Sequence, residues 1–178
     1  MLPTMHACRL VILDAGLLAL FVAGSLWVWP SMPDAFPIHF DLSGTPDRRA
    51  ETTLFNWLLL PLLAIAIAAL IHGIGQWVGR SPNALNMPNQ ERYDALPTEA
   101  KYDLARRAEH FLHAVAIGGT LLFATLQVAS YQVAMKAAME PPAYGRVSLW
   151  VFLTLGTVGF IVHMQKHIRV LEPPSSSR

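Results

Sequence analysis

The chain has 178 residues, 53% of them apolar and only 14% charged, where soluble domains average about 25% charged. A formal net charge of +1 offers no basic surface for nucleic acid, and the single cysteine, Cys8, excludes an intrachain disulfide. This is the composition of an integral membrane protein.

Leu10 to Trp29 is the first apolar run, about the 20 residues a bilayer-spanning helix needs. Asp14 interrupts it and Trp27 and Trp29 close it, which fits an uncleaved helix ending at an aromatic interface better than a signal peptide. Ala15, Ala19 and Ala23 form a small-residue stripe, the expected packing face of this helix. The next stretch carries Pro30, Pro33, Pro37 and Pro46, all of which oppose helix. Within it Phe36, Ile38, Phe40 and Leu42 alternate with Pro37, His39 and Asp41. That is the period of a strand with one apolar face, and it puts His39 and Asp41 on the other. Ser43-Gly44 predicts a turn, and Thr45-Pro46-Asp47 predicts extended chain.

Leu54 to Val78 is the second span, with Pro61 inside it, a predicted kink, and His72 within its apolar part. A polar connector follows, with a short helix expected in Asn89–Leu96. Thr98 is the expected N-cap of a long helix running through Ala108 into a third span, Phe111 to about Met135. That span is unusually polar, with Thr120, Thr125, Gln127, Ser130 and Gln132, groups that favour contact with other helices. Val147 to Met164 is the fourth span, and Pro173 to Arg178 reads as a tail.

The motif Met32-Pro33, then Pro37-Ile38-His39-Phe40, then Gly44 and Pro46-Asp47 resembles the domain of unknown function 1648 family. In that family a Pro-x-x-x-Pro-x-His-aromatic, then Gly-x-x-Asp pattern lies between two membrane helices of bacterial proteins. The family includes an immunity protein against a sporulation-delaying toxin that also acts as a membrane receptor. The resemblance implies an immunity-like, receptor or accessory role. It marks Pro33, Pro37, His39, Phe40, Asp41, Gly44 and Asp47 as the motif residues.

The expected fold is an all-α integral membrane protein: a four-transmembrane-helix bundle with a Pro-rich, partly extended outer loop between helices 1 and 2. Residues 1–80 form a two-helix unit with that loop, and 81–110 a cytoplasmic connector and helix start. Residues 111–165 form the third and fourth helices, and 166–178 a disordered tail. Nine basic residues (Arg9, Arg80, Arg92, Lys101, Arg106, Arg107, Lys166, Arg169, Arg178) fall on one side of this threading and four (Arg48, Arg49, Lys136, Arg146) on the other. The bias predicts an inner-membrane protein with both termini cytoplasmic and the His39 loop outside.

The same threading gathers His72, His110, His113, His163 and His167 near one membrane face, with Asp14 and Glu109 beside them. Imidazole and carboxylate groups suit a transition metal or haem, or a proton relay between helices. The alternative places most of these side chains at the headgroup boundary. On that reading Asp14 and His72 need internal partners, and a neutral His72 donating to a backbone carbonyl would satisfy one of them. The outer His39, Asp41 and Asp47 could bind a cation or a peptide, or hold a turn. The strand there needs an edge partner: a membrane or secreted protein, or the Met139–Arg146 connector.

The chain has no Gly-rich phosphate loop, zinc-protease pair or nucleophile elbow, and nothing in it indicates an enzyme. Three functions compete. The first is a non-catalytic binding, immunity/receptor or accessory subunit in the bilayer. The second is a metal- or haem-binding protein using the histidine cluster. The third is a small oligomeric transporter, for which Pro61, His72 and the polar third span speak.

Overall fold

The computed structural model describes residues 5–41, 46–86, 90–135 and 162. Three long helices dominate: α1 (Met5–Val28), α2 (Leu54–Arg80) and α4 (Thr98–Ala134). Between α1 and α2 lies a hairpin of two antiparallel strands, β1 (Ala35–Phe40) and β2 (Pro46–Glu51). Between α2 and α4 lies the short helix α3 (Gln90–Asp94). The architecture is therefore mostly helical with a small sheet rather than all-α. The predicted fourth span, Val147–Met164, the Met139–Arg146 connector and the 166–178 tail lie outside the described residues, as does the Ser43-Gly44 turn.

Each long helix is long and apolar enough to cross a bilayer, and only 17–22% of its apolar window is buried inside the protein. Exposed Leu20, Trp27, Phe55, Leu70 and Trp77 would make a large apolar patch in water. In a bilayer they face lipid, so the chain is built as a membrane protein.

The helices meet along a narrow seam of small and polar residues. Buried on α2 are Trp57, Pro61, Ala64, Ala68, His72, Gly75 and Val78, spaced three or four apart on one face. The facing stripe on α4 includes Glu109, His113, Ala116, Thr120, Gln127 and Ser130. On α1 the buried residues are Ala7, Asp14, Phe21 and Ser25. Ala15, Ala19 and Ala23 are exposed instead, because the face carrying Asp14 turns inward and takes the packing role. Asp14 contacts His72 and Ser25 contacts Trp57, so α1 and α2 run antiparallel. His72 contacts His113 and Trp57 contacts Gln127, so α2 and α4 do too.

Small residues let these backbones approach closely. A Cβ at Gly75 would sit 3.2 Å from His113 Cε1 and 3.3 Å from Leu112 Cβ, and one at Gly79 would collide with the Glu109 carboxylate. Gly75 and Gly79 are one turn apart, a G-x-x-x-G pair that opens the α2–α4 approach around His113 and Glu109.

Pro61 is accommodated by a specific contact. A proline inside a helix cannot donate to the carbonyl four residues back, which here belongs to Trp57. The Gln127 side-chain amide reaches across from α4 and donates to that carbonyl at 3.0 Å. Trp57 in turn donates from Nε1 to Ser25 O, in the last turn of α1 where carbonyls lack helical partners, at 2.8 Å. One Trp–Gln pair thus joins all three helices in the halves nearest the hairpin.

The polar connector has its own small core of Tyr93 and Leu104 with Leu85 and Leu96 packed on them. The Tyr93 hydroxyl donates to Pro82 O at 2.6 Å. Burial, and then the charge of Asp94, push the Tyr93 phenol above its ordinary pKa of 10.0. Helix α4 starts at Thr98 with Pro97 as N-cap and no side-chain cap; the Thr98 hydroxyl does not serve as cap because Thr98 is already the first helical residue.

Candidate functional site

Two groups of sequence-predicted residues occupy opposite ends of the bundle. One group is carried by the hairpin. Pairing runs Ala35 to Glu51, Phe36 to Ala50 and Pro37 to Arg49, then shifts to His39 with Arg48 and Phe40 with Pro46. Ile38 is the extra residue on β1 and Asp47 the extra residue on β2. Two irregularities so close together break the expected alternation. Phe36 and Pro37 are buried, while Ile38, expected to share one apolar face with Phe36, is 55% exposed. His39 Nδ1 meets Asp47 Oδ1 at 2.5 Å across the hairpin. Both side chains are about half exposed, at 56% and 43%, so this pair holds the hairpin's shape and adds little stability.

The hairpin is held to the helices. Phe36 packs edge-on against Trp57 with ring centroids 5.3 Å apart, and Val28, Trp29, Met32 and Ala50 close the cluster. Ser130 on α4 donates to Pro37 O at 2.5 Å. Pro33 is half-buried at the hairpin entry, after a single 3-10 turn over Trp29–Ser31. Phe40 is half-buried, Asp41 is exposed, and Gly44 is outside the described residues. A cavity of about 320 Å³ lies between hairpin and bundle, lined by Pro37, His39 and Phe40 on one side and Asn56, Leu60 and Leu126 on the other.

The other group is buried. Asp14 on α1 and His113 on α4 are both 0% exposed, and His72 on α2 lies between them. With Asp14 ionised, His72 Nε2–H donates to Asp14 Oδ2 at 2.8 Å. His72 Nδ1 faces His113 Nδ1, also at 2.8 Å. At that separation the two nitrogens share one proton, since two N–H groups cannot point at each other. His113 Nε2 lies 3.7 Å from Glu109 Oε1, within ion-pair range and beyond a hydrogen bond. Asp14 Oδ1 and His113 Nε2 have no hydrogen-bond partner among the described residues. His72 therefore finds its partner in a carboxylate and a second imidazole, not in a backbone carbonyl, and His113 lies inside the bundle rather than at the headgroup boundary.

Of the remaining predicted residues, His110 is half-buried with its ring edge-on to His6 at 6.5 Å. His163 and His167 are outside the described residues. Among the described residues no set of three His, Cys, Asp or Glu side chains is arranged to hold a metal ion. Gln127, predicted as an intramembrane polar group, is the donor to Trp57 O. Ser130, expected among the polar groups of the third span that contact other helices, bonds the hairpin at Pro37 O instead. Trp57, Gly75 and Gly79 were not singled out as site residues from sequence; the Gly75-x-x-x-Gly79 spacing and the carbonyl four residues before Pro61 were the signals that could have found them.

The bundle and its apolar surface define a multi-helix membrane protein. Residues 16–65 match the protein-family model described as Domain of unknown function (DUF1648), the family whose motif the outer segment resembles. Comparison with curated proteins and with solved structures gave no match. The matched segment holds the whole hairpin, but Asp14, His72, Glu109 and His113 all lie outside it.

Proposed function

We propose that the protein is a non-catalytic binding subunit of the bacterial inner membrane, of the immunity, receptor or accessory kind, that presents its hairpin to a membrane or secreted protein. On this reading Val147–Met164 adds a fourth membrane helix, both termini are cytoplasmic and the hairpin is outside. The observation that carries it is a hairpin that is anchored yet leaves side chains exposed. Phe36 on Trp57 and the Ser130–Pro37 bond hold it to the helices, while Ile38, His39, Arg48 and Arg49 stay exposed, His39 at the rim of the cavity beneath the hairpin. A rigid, prepaid surface of this kind binds with little ordering cost.

Affinity purification of the full chain from native membranes tests the reading. A stoichiometric protein partner that is lost in Ile38→Asp and in Arg48→Glu, with the fold retained by circular dichroism, is the expected result. A partner that survives both substitutions, or no partner, refutes it. Alkaline phosphatase fused after Arg49 should be active; an inactive fusion would reverse the orientation.

A further inference from the structure

We propose that Asp14, His72, His113 and Glu109 form a buried proton-transfer site, in which one proton shared between the two imidazoles passes between Glu109 and the Asp14-paired His72. The proposal stands apart from the binding role of the hairpin and rests on different residues.

The donor–acceptor order of the four groups carries it. Asp14 accepts from His72 Nε2, which leaves His72 Nδ1 facing His113 Nδ1 over 2.8 Å. If the shared proton sits on His113, then His113 Nε2 is bare and faces Glu109. If it sits on His72, that ring is an imidazolium against the Asp14 carboxylate, and His113 Nε2 carries a proton toward Glu109. A protonated Glu109 gives its proton to His113 Nε2 while the His113 Nδ1 proton crosses to His72 Nδ1. Glu109 is left as a carboxylate and His72 as an imidazolium. The four groups keep the same total charge, and one proton has moved inward. Glu109 then recovers a proton from the end of the bundle where Arg80 and Arg106 lie.

The surroundings fit transfer better than static packing. The absence of a side chain at Gly79 makes the notch that holds the Glu109 carboxylate, and Gly75 admits the His113 ring. Closing the 3.7 Å gap to hydrogen-bonding distance requires less than about 1 Å of carboxylate movement. Asp14 Oδ1 and His113 Nε2 are both buried without a partner among the described residues, so capacity for protons remains at both ends of the chain of groups. The titratable and charged groups around it are Asp14 from α1, His72 and Arg80 from α2, and Arg106, Glu109, His110 and His113 from α4, with His6 of α1 edge-on to His110. His72 has both nitrogens committed, one to Asp14 and one to His113, the pattern of a relay.

The test uses the full chain with 15N-labelled histidine in lipid nanodiscs, titrated with pH alone. The unsubstituted protein should show scalar coupling between the two Nδ1 atoms and one titration felt by both rings. In Asp14→Asn the midpoint seen at His113 should move to lower pH by about one unit or more, the size a neighbouring charge imposes. A charge acting through space shifts His113 as well, so the deciding readouts are the coupling between the two Nδ1 atoms and their shared titration. Glu109→Gln should in the same way alter the titration seen at His72. Two rings that titrate independently, with no coupling between their nitrogens, overturn the proposal. The coupling measurement needs no variant, so a substitution that fails to fold does not shield it.

Discussion

Replacing Gln127 by Leu removes the side-chain donor to the Trp57 carbonyl, which Pro61 cannot serve, a 3.0 Å bond in a buried layer. An unsatisfied buried acceptor costs about 1–3 kcal/mol. Interhelical hydrogen bonds in membranes are weaker, about 0.6 kcal/mol on average and about 1.7 at most. The geometry supplies its own control. Pro61→Ala restores an N–H four residues after Trp57, so the helix can satisfy that carbonyl internally. Gln127→Leu should therefore cost more in the natural background than beside Ala at position 61. The coupling in the double-mutant cycle should fall between about 0.6 and 1.7 kcal/mol. Detergent-driven unfolding followed by circular dichroism measures all four corners. Equal costs of Gln127→Leu in the two backgrounds, within about 0.3 kcal/mol, would refute the reasoning.

Two further outcomes follow from the same structure. Phe36→Ala removes the ring that packs on Trp57, at a cost of up to about 3–5 kcal/mol. Hydrogen exchange should speed up across residues 35–51 while α2 around His72 stays protected; unchanged exchange in the hairpin would mean that Phe36 does not anchor it. Tyr93 should ionise above the ordinary tyrosine value of 10.0, because burial and then Asp94 disfavour the phenolate. Since the unfolded chain loses that proton first, the connector's stability should fall as pH rises from 10.0 through the raised folded value. Absorbance at alkaline pH should show a late tyrosine ionisation that is lost in Tyr93→Phe.

The first three spans were legible because length and hydropathy decide insertion into a bilayer without reference to any neighbour. The His39–Asp47 pairing was half legible: the motif marks both residues, but their contact depends on two strand irregularities that no alternation of residue types announces. Those irregularities also carried Ile38 to the outside, against its expected face. The alanine stripe on α1 misled for a related reason. Small residues permit close packing on any face, and the face was chosen by Asp14, whose carboxylate needs a partner that lipid cannot supply.

The amino-acid sequence by itself determined that this is a membrane protein with apolar helices, an extended Pro-rich segment after the first, and a long helix leading from a polar connector into the third. These are local properties, set by composition and by the backbone limits of proline and glycine. Only the tertiary structure decided which polar groups meet. Asp14 and His72 are separated by 58 positions and His72 and His113 by 41. They come together because three antiparallel helices place them at one depth, and because Gly75 and Gly79 let two of those helices close on the third group and on Glu109. Contacts of that kind depend on helix rotation and register, which the packing of all three helices sets jointly.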